Sequence, residues 1–190
     1  MKSHSLLLAT AIAAIAATGA QAQGWNISVM GGSTWSPRLT LGAAPRDVDN
    51  GFNGGGRLGY DLDGWTGLSG LSADADIFYT QSDYTGRQSR LSSLSFMGDL
   101  IYRVDLGLPV GVYGGAGVGG VRTMVNNLTV DSGSTVFAWQ ALGGIDYQIS
   151  PETSMFAEYR YQDAHNANVG TLNNVGYRSN NVSVGLKFDL

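Results

Sequence analysis

Asn180-Asn181-Val182-Ser183-Val184-Gly185-Leu186-Lys187-Phe188-Asp189-Leu190 closes the chain and decides how the rest is read. Val182, Val184, Leu186, Phe188 and Leu190 are apolar, whereas Asn181, Ser183, Gly185, Lys187 and Asp189 are polar or small. This uninterrupted period of two predicts a β-strand with one apolar and one wet face. In a soluble sandwich a terminal strand of this kind would be an edge in need of protection. In a closed barrel it pairs with the first strand and no edge remains.

The preceding chain supplies enough strands to close one. Residues 24–33 alternate Trp25, Ile27 and Val29 with Asn26, Ser28 and Met30. Further alternating segments are expected at 54–62, 71–80, 91–103, 110–122, 136–148 and 153–162, which with the terminal strand makes eight. In the third, Leu71, Ala73, Ala75, Ile77 and Tyr79 oppose Ser72, Asp74, Asp76 and Thr80, with Phe78 the exception. The facing of the Gly- and Val-rich fifth is the least determined, and Val112, Ala116 and Val118 are placed outward. Polar stretches at 34–53, 81–90, 124–135 and 163–179 read as long loops, and the other connections are short. Long and short connections alternate, as they do when an up-and-down barrel has its loops outside the cell and its turns in the periplasm.

The two faces differ in chemistry. One is aliphatic and aromatic; the other carries Arg57, Asp61, Asp74, Asp76, Asp99, Arg103, Asp146, Glu158, Arg160 and Lys187. A soluble eight-stranded barrel would face polar side chains outward and put its apolar residues inside, and such a charged set cannot be a dry core without heavy desolvation cost. In a membrane the assignment reverses: charges pair within the lumen and the apolar face meets lipid. Trp25, Tyr60, Tyr102, Tyr147 and Phe188 fall at one set of strand ends and Tyr79, Phe137 and Tyr161 at the other, which predicts two interfacial girdles. The fold class expected is therefore all-β, an eight-stranded antiparallel up-and-down transmembrane β-barrel.

The amino terminus fits export. Lys2 precedes an apolar run from Leu6 to Ala17, and Ala20 and Ala22 stand where a signal peptidase reads small residues. Residues 1–22 are expected to be a signal peptide and 23–190 the barrel domain. The run is shorter than the roughly 20 residues of a spanning helix. Removing 22 residues from 190 leaves 168, enough for one domain. Of 11 basic side chains Lys2 is lost while all 15 acidic ones stay, so the mature net charge is near −5 and nucleic acid is not an expected partner. There is no Cys, hence no disulfide framework, thiolate metal site or Cys nucleophile.

Three segments carry a family resemblance. Ser183 to Leu190 resembles a carboxyl-terminal assembly signal, with Gly185, Phe188 and Leu190 as its elements and Leu190 replacing the usual Phe or Trp. Residues 137–147 resemble a sixth strand, and Glu158-Tyr159-Arg160-Tyr161 a seventh, of the small outer-membrane β-barrel superfamily. That group includes the OmpA transmembrane domain, opacity-type surface antigens and porin-like proteins of alphaproteobacteria. The resemblance implies the bacterial outer membrane, export by the Sec route, outer-membrane lipid and lipopolysaccharide as surroundings, and periplasmic chaperones and the barrel-assembly machinery as partners. It also implies extracellular loops available to host or cell-surface ligands.

Chemistry-bearing motifs are few. Gly115-Ala116-Gly117-Val118-Gly119-Gly120 satisfies G-x-G-x-x-G, but strand residues run through it where a nucleotide site needs a helix. Asp47-Val48-Asp49-Asn50-Gly51 lacks the remaining ligands of a calcium loop. Small barrels that deacylate lipid A carry a pattern resembling His-x-Ser-Asn; here His165 is followed by Asn166 and Ala167, so no nucleophile stands in place. No cofactor or metal is expected. The candidate constellation is a lumen charge network of Arg57, Asp74, Asp76, Asp99, Glu158, Arg160 and Lys187, with Glu158 facing Lys187 and Arg57 facing the two Asp residues on neighbouring strands. An eight-stranded barrel is just wide enough for side chains to fill. A plugged lumen and a structural, surface-antigen or adhesion role are expected. The alternatives are a small ion or solute pore and a lipid A-modifying enzyme.

Overall fold

The computed structural model describes residues 24–41, 44–47, 50–83, 90–125, 135–169 and 172–190. The expected signal peptide, with Ala20 and Ala22, lies outside the described residues, as do Val48 and Asp49 of the acidic loop. The strands are β1 (Trp25–Leu41), β2 (Ala44–Asp47), β3 (Gly51–Asp61), β4 (Leu71–Asp83), β5 (Arg90–Asp105), β6 (Val110–Val125), β7 (Thr135–Ser150), β8 (Thr153–Val169) and β9 (Leu172–Asp189). Eight of them, all but β2, form one antiparallel sheet in chain order that closes through β1 and β9. Ile27 pairs with Phe188, Val29 with Leu186 and Gly31 with Val184, so the last strand has the first as its partner.

Cross-strand partners starting at Trp25 run through Tyr60, Ala73, Leu100, Ala116, Ala141, Tyr161 and Asn180, and re-enter β1 at Trp35, ten residues higher. A stagger of ten over eight strands tilts them by roughly 35–45° and leaves an interior about as wide as opposed side chains can fill.

Alternation sorts the faces as the pleat requires. Leu100 is 58% exposed, Ile145 57% and Val184 64%, while Glu158 is 2% and Arg160 1% exposed. Val112, Ala116 and Val118 also face outward. Trp25 stacks against Tyr60 with ring centroids 4.9 Å apart, and Tyr102 and Tyr147 continue that lower belt. Trp139 and Tyr161, 5.5 Å apart, and Phe137 mark the upper one. Tyr147 and Phe137 are ten residues apart on β7. At about 3.3 Å per residue and a tilt near 40°, that is about 25 Å along the axis, the height of an outer-membrane apolar band.

The polar stretches are not loops throughout. β1 continues to Leu41 and folds back through β2, β4 reaches Asp83, β6 reaches Val125, and β8 and β9 pair up to Val169 and Leu172. The physical reason is that a hairpin clear of the membrane is wet on both faces, so alternation stops while backbone pairing continues. His165 accordingly lies within β8 rather than in a loop. At the other end the connections are tight. The first contains a single-turn helix, α1 (Asp63–Thr66), ended by Gly67 at φ 69°. Gly70, at φ 87°, donates its N–H to Asp63 Oδ1 at 3.0 Å, which locks the turn. Trp65, Leu68, Leu106, Leu108 and Ile149 give these turns an exposed apolar crown.

Candidate functional site

The lumen holds the densest chemistry. Arg57 on β3 reaches across to Glu158 on β8, Nη2 donating to Oε1 at 3.0 Å and Oε2 at 2.9 Å. Arg160, two residues along the same face of β8, donates Nη2 to Glu158 Oε1 at 2.9 Å, and its Nη1 lies 2.8 Å from Asp76 Oδ2 on the diametrically opposite β4. Phe78, the apolar exception in its strand, lies under the Arg160 guanidinium with 4.2 Å to the ring centroid. Gln140 Nε2 donates to Asp99 Oδ1 at 2.7 Å and to Asp76 Oδ2 at 3.3 Å. Tyr113 donates its hydroxyl to Glu158 Oε2 at 3.2 Å. These side chains form one belt across the barrel.

Its geometry depends on small residues opposite large ones. A Cβ at Gly117 would strike the carboxylate of Asp99 on the paired strand, and one at Gly144 would sit 2.6 Å from the Tyr113 hydroxyl. Gly117 on β6 and Gly144 on β7 are therefore space for the belt. Moving an isolated carboxylate or guanidinium out of water costs several kcal/mol per ion. Multiple short contacts offset that cost, and losing one partner would expose it.

Above the belt the lumen is filled. Thr34 Oγ1 donates to Asn181 Oδ1 at 2.6 Å, Asn53 Nδ2 to Thr34 Oγ1 at 3.3 Å and Ser183 Oγ to Asn53 Oδ1 at 2.9 Å. Thr80 and Ser93 share a short hydroxyl bond, and Met97, Val121, Ala138 and Ala164 form a buried apolar cluster. Below the belt a vestibule of about 490 Å³ is lined by Asn26, Arg57, Asp74, Tyr113, Phe156 and Lys187 among others, and reaches the short turns at Asp63 and Gly70.

Of the seven candidate charges, Arg57, Asp76, Glu158 and Arg160 meet directly. Asp74 joins only at 3.8 Å from Arg57 Nε, and Asp99 only through Gln140. Lys187 does not pair with Glu158. It faces the vestibule and lies 3.2 Å from Asp189. The register explains this: Lys187 opposes Ser154 and Glu158 opposes Ser183, which places Lys187 nearer the turns. Arg103, by contrast, is held at the rim by Asp146 at 2.8 Å. Gln140 and Tyr113, which sequence reasoning passed over as neutral, are belt members; their inward phase in the alternation was the available signal. Among the described residues no group of three or more His, Cys, Asp or Glu side chains converges as metal ligands.

Residues 5–188 match the family model described as outer membrane protein beta-barrel domain. Among solved structures, the chain is similar to Neisserial surface protein A, at 23% identity over 88% of this chain and 98% of that one, TM-score 0.65. It is also similar to OprG from Pseudomonas aeruginosa, at 16% identity over 88% and 97%, TM-score 0.54. AlkL, solved in DMPC lipid bilayers, aligns at 16% identity over 87% and 90%, TM-score 0.53. No curated protein matches by sequence.

Proposed function

We propose, from the premise that this chain belongs to the outer-membrane protein β-barrel domain family, that it works as a non-conducting, non-enzymatic barrel acting through its extracellular hairpins. The bacterial outer membrane is its location. The observation that supports a closed lumen is the bridge from β3 through Glu158 and Arg160 to β4, which spans the barrel at 2.8–3.0 Å contacts. A structural or surface-antigen role follows, with the four long hairpins (β1–β3, β4–β5, β6–β7 and β8–β9) offering strand-ordered surfaces to host or cell-surface ligands. Cleavage after Ala22, delivery by periplasmic chaperones, and insertion by the barrel-assembly machinery reading Gly185, Phe188 and Leu190 complete the reading.

Planar-bilayer recording tests it. The wild-type barrel is expected to give no conductance steps; a steady open pore would overturn the closed-lumen reading. One observation favours a gated leak as second reading: Asp74 Oδ1, Asp76 Oδ1, Asp99 Oδ2 and the Nε atoms of Arg57 and Arg160 lack hydrogen-bond partners among the described residues, so other pairings are open to the belt. Steps that appear only in Arg57→Glu or Glu158→Arg would support that leak. Lipid A mass spectra with and without the protein address the enzyme alternative, and unchanged spectra are expected.

A further inference from the structure

The vestibule beneath the belt has an unbalanced wall. Its basic groups are engaged: Arg57 by Glu158 at 2.9 Å, Arg103 by Asp146 at 2.8 Å, and Lys187 by Asp189 at 3.2 Å. Asp74, only 8% exposed, lines the cavity; its Oδ2 lies 3.8 Å from Arg57 Nε, and its Oδ1 lacks a hydrogen-bond partner among the described residues. Asp61, also on the wall, makes no ion pair among the described residues. Asp61 opposes Ser72 and Gly59 opposes Asp74, so the two carboxylates are diagonal neighbours on β3 and β4. The Cα atoms of such pairs lie about 7–8 Å apart. Two ammonium groups joined by a short methylene chain can reach two carboxylates borne on residues so spaced. The same cavity is lined by Ile101, Tyr113 and Phe156, apolar surface suited to methylenes. An ammonium is already stationed nearby: Lys187 lines the same cavity, 3.2 Å from Asp189.

We infer that the periplasm-facing vestibule binds a linear aliphatic diammonium, one end on Asp74 at the floor and the other on Asp61 at the rim. Lys187 is the tethered competitor of that ligand. The inference goes beyond the closed-barrel reading and needs only its orientation, with the short turns on the periplasmic side.

Calorimetric titration of the refolded barrel in detergent micelles with cadaverine tests it, using n-pentylamine and magnesium chloride as separate arms. Cadaverine should bind at least about tenfold tighter than pentylamine, since the second charge-assisted hydrogen bond is lost in the monoamine. Asp61→Asn and Asp74→Asn should each weaken cadaverine by about the same factor. Lys187→Gln should tighten it, and Asp163→Asn, at the other end of the barrel, should not change it. Equal binding of the monoamine, unchanged affinity in Asp61→Asn, displacement by magnesium at equal charge, or no gain in Lys187→Gln would each overturn it. Asp74→Asn sits against Arg57 and could fold poorly, so rim-exposed Asp61→Asn is decisive. Heat-modifiable gel migration of every variant reports the barrel itself, which separates failure of the fold reading from failure of the site.

Discussion

The belt at mid-lumen and the ion pairs at the rim beside the short turns use the same groups to different ends. In the belt, Arg160 and Glu158 side chains are 1% exposed and each meets more than one partner. At the rim, Arg103 forms a bidentate pair of similar length with Asp146, whose side chain is 7% exposed, yet the guanidinium side is wet: the Arg103 side chain is 31% exposed, and Lys187 and Asp189 are 30% and 42% exposed. The contacts look alike. Desolvation separates them. A buried pair owes its leverage to the penalty that appears when one partner goes, whereas a wet pair returns to water at little loss.

The largest effect should come from Glu158→Gln or Glu158→Ala, which removes the bidentate partner of Arg57 and one of the two carboxylates on Arg160, leaving Arg57 only contacts at 3.8 Å: a loss of about 3–5 kcal/mol in urea unfolding of the vesicle-inserted barrel. A loss below about 1 kcal/mol would mean the belt is hydrated and the contrast with the rim is false. Next, Ile77→Arg places a charge on the lipid face beside the belt and should cost about 2–4 kcal/mol in the same assay. A neutral result would move Ile77 out of the bilayer. Asp146→Asn should cost no more than about 1 kcal/mol, falling toward zero in 1 M salt where screening reaches about 3 Å. Persistence of its effect in salt would show the rim is drier than its exposure implies. The smallest is Leu190→Phe, expected to assemble as well as or better than wild type, read as the heat-modifiable fraction in isolated membranes; marked loss would mean Leu190 is misread as part of an assembly signal.

How much of this was legible depends on which residues are asked. Period-two alternation carries face and strand identity, and for Val182 to Leu190, Leu71 to Ile77 and Phe137 to Tyr147 it was sufficient, because lipid on one side and packed lumen on the other keep the two faces distinct. It fails where that contrast ends, which is why 81–83 and 163–169 passed for loops. It also cannot say which charges meet. Glu158 takes Arg57, 101 positions earlier, because barrel width and a stagger of ten bring β3 and β8 face to face across the axis. Neighbouring-strand reasoning offered Lys187 instead, and ignored that Lys187 sits four residues nearer the turns. Phe78 looked like an error in the pattern and proves to be the platform for Arg160.

The seam between the first and last strands has a topological consequence. Leu190 N donates to Trp25 O at 2.9 Å, and Asp61 N to Gly24 O at 2.8 Å, so Gly24 and Leu190 lie at the same rim beside the short turns. A few flexible residues would join them, and new ends could be opened at the Pro151-Glu152 turn to give a circularly permuted barrel with every pairing retained. In that molecule Ser183 to Leu190 would be an internal strand. If it folded in vesicles but stalled in cells, the requirement for a terminal strand would belong to assembly and not to the architecture.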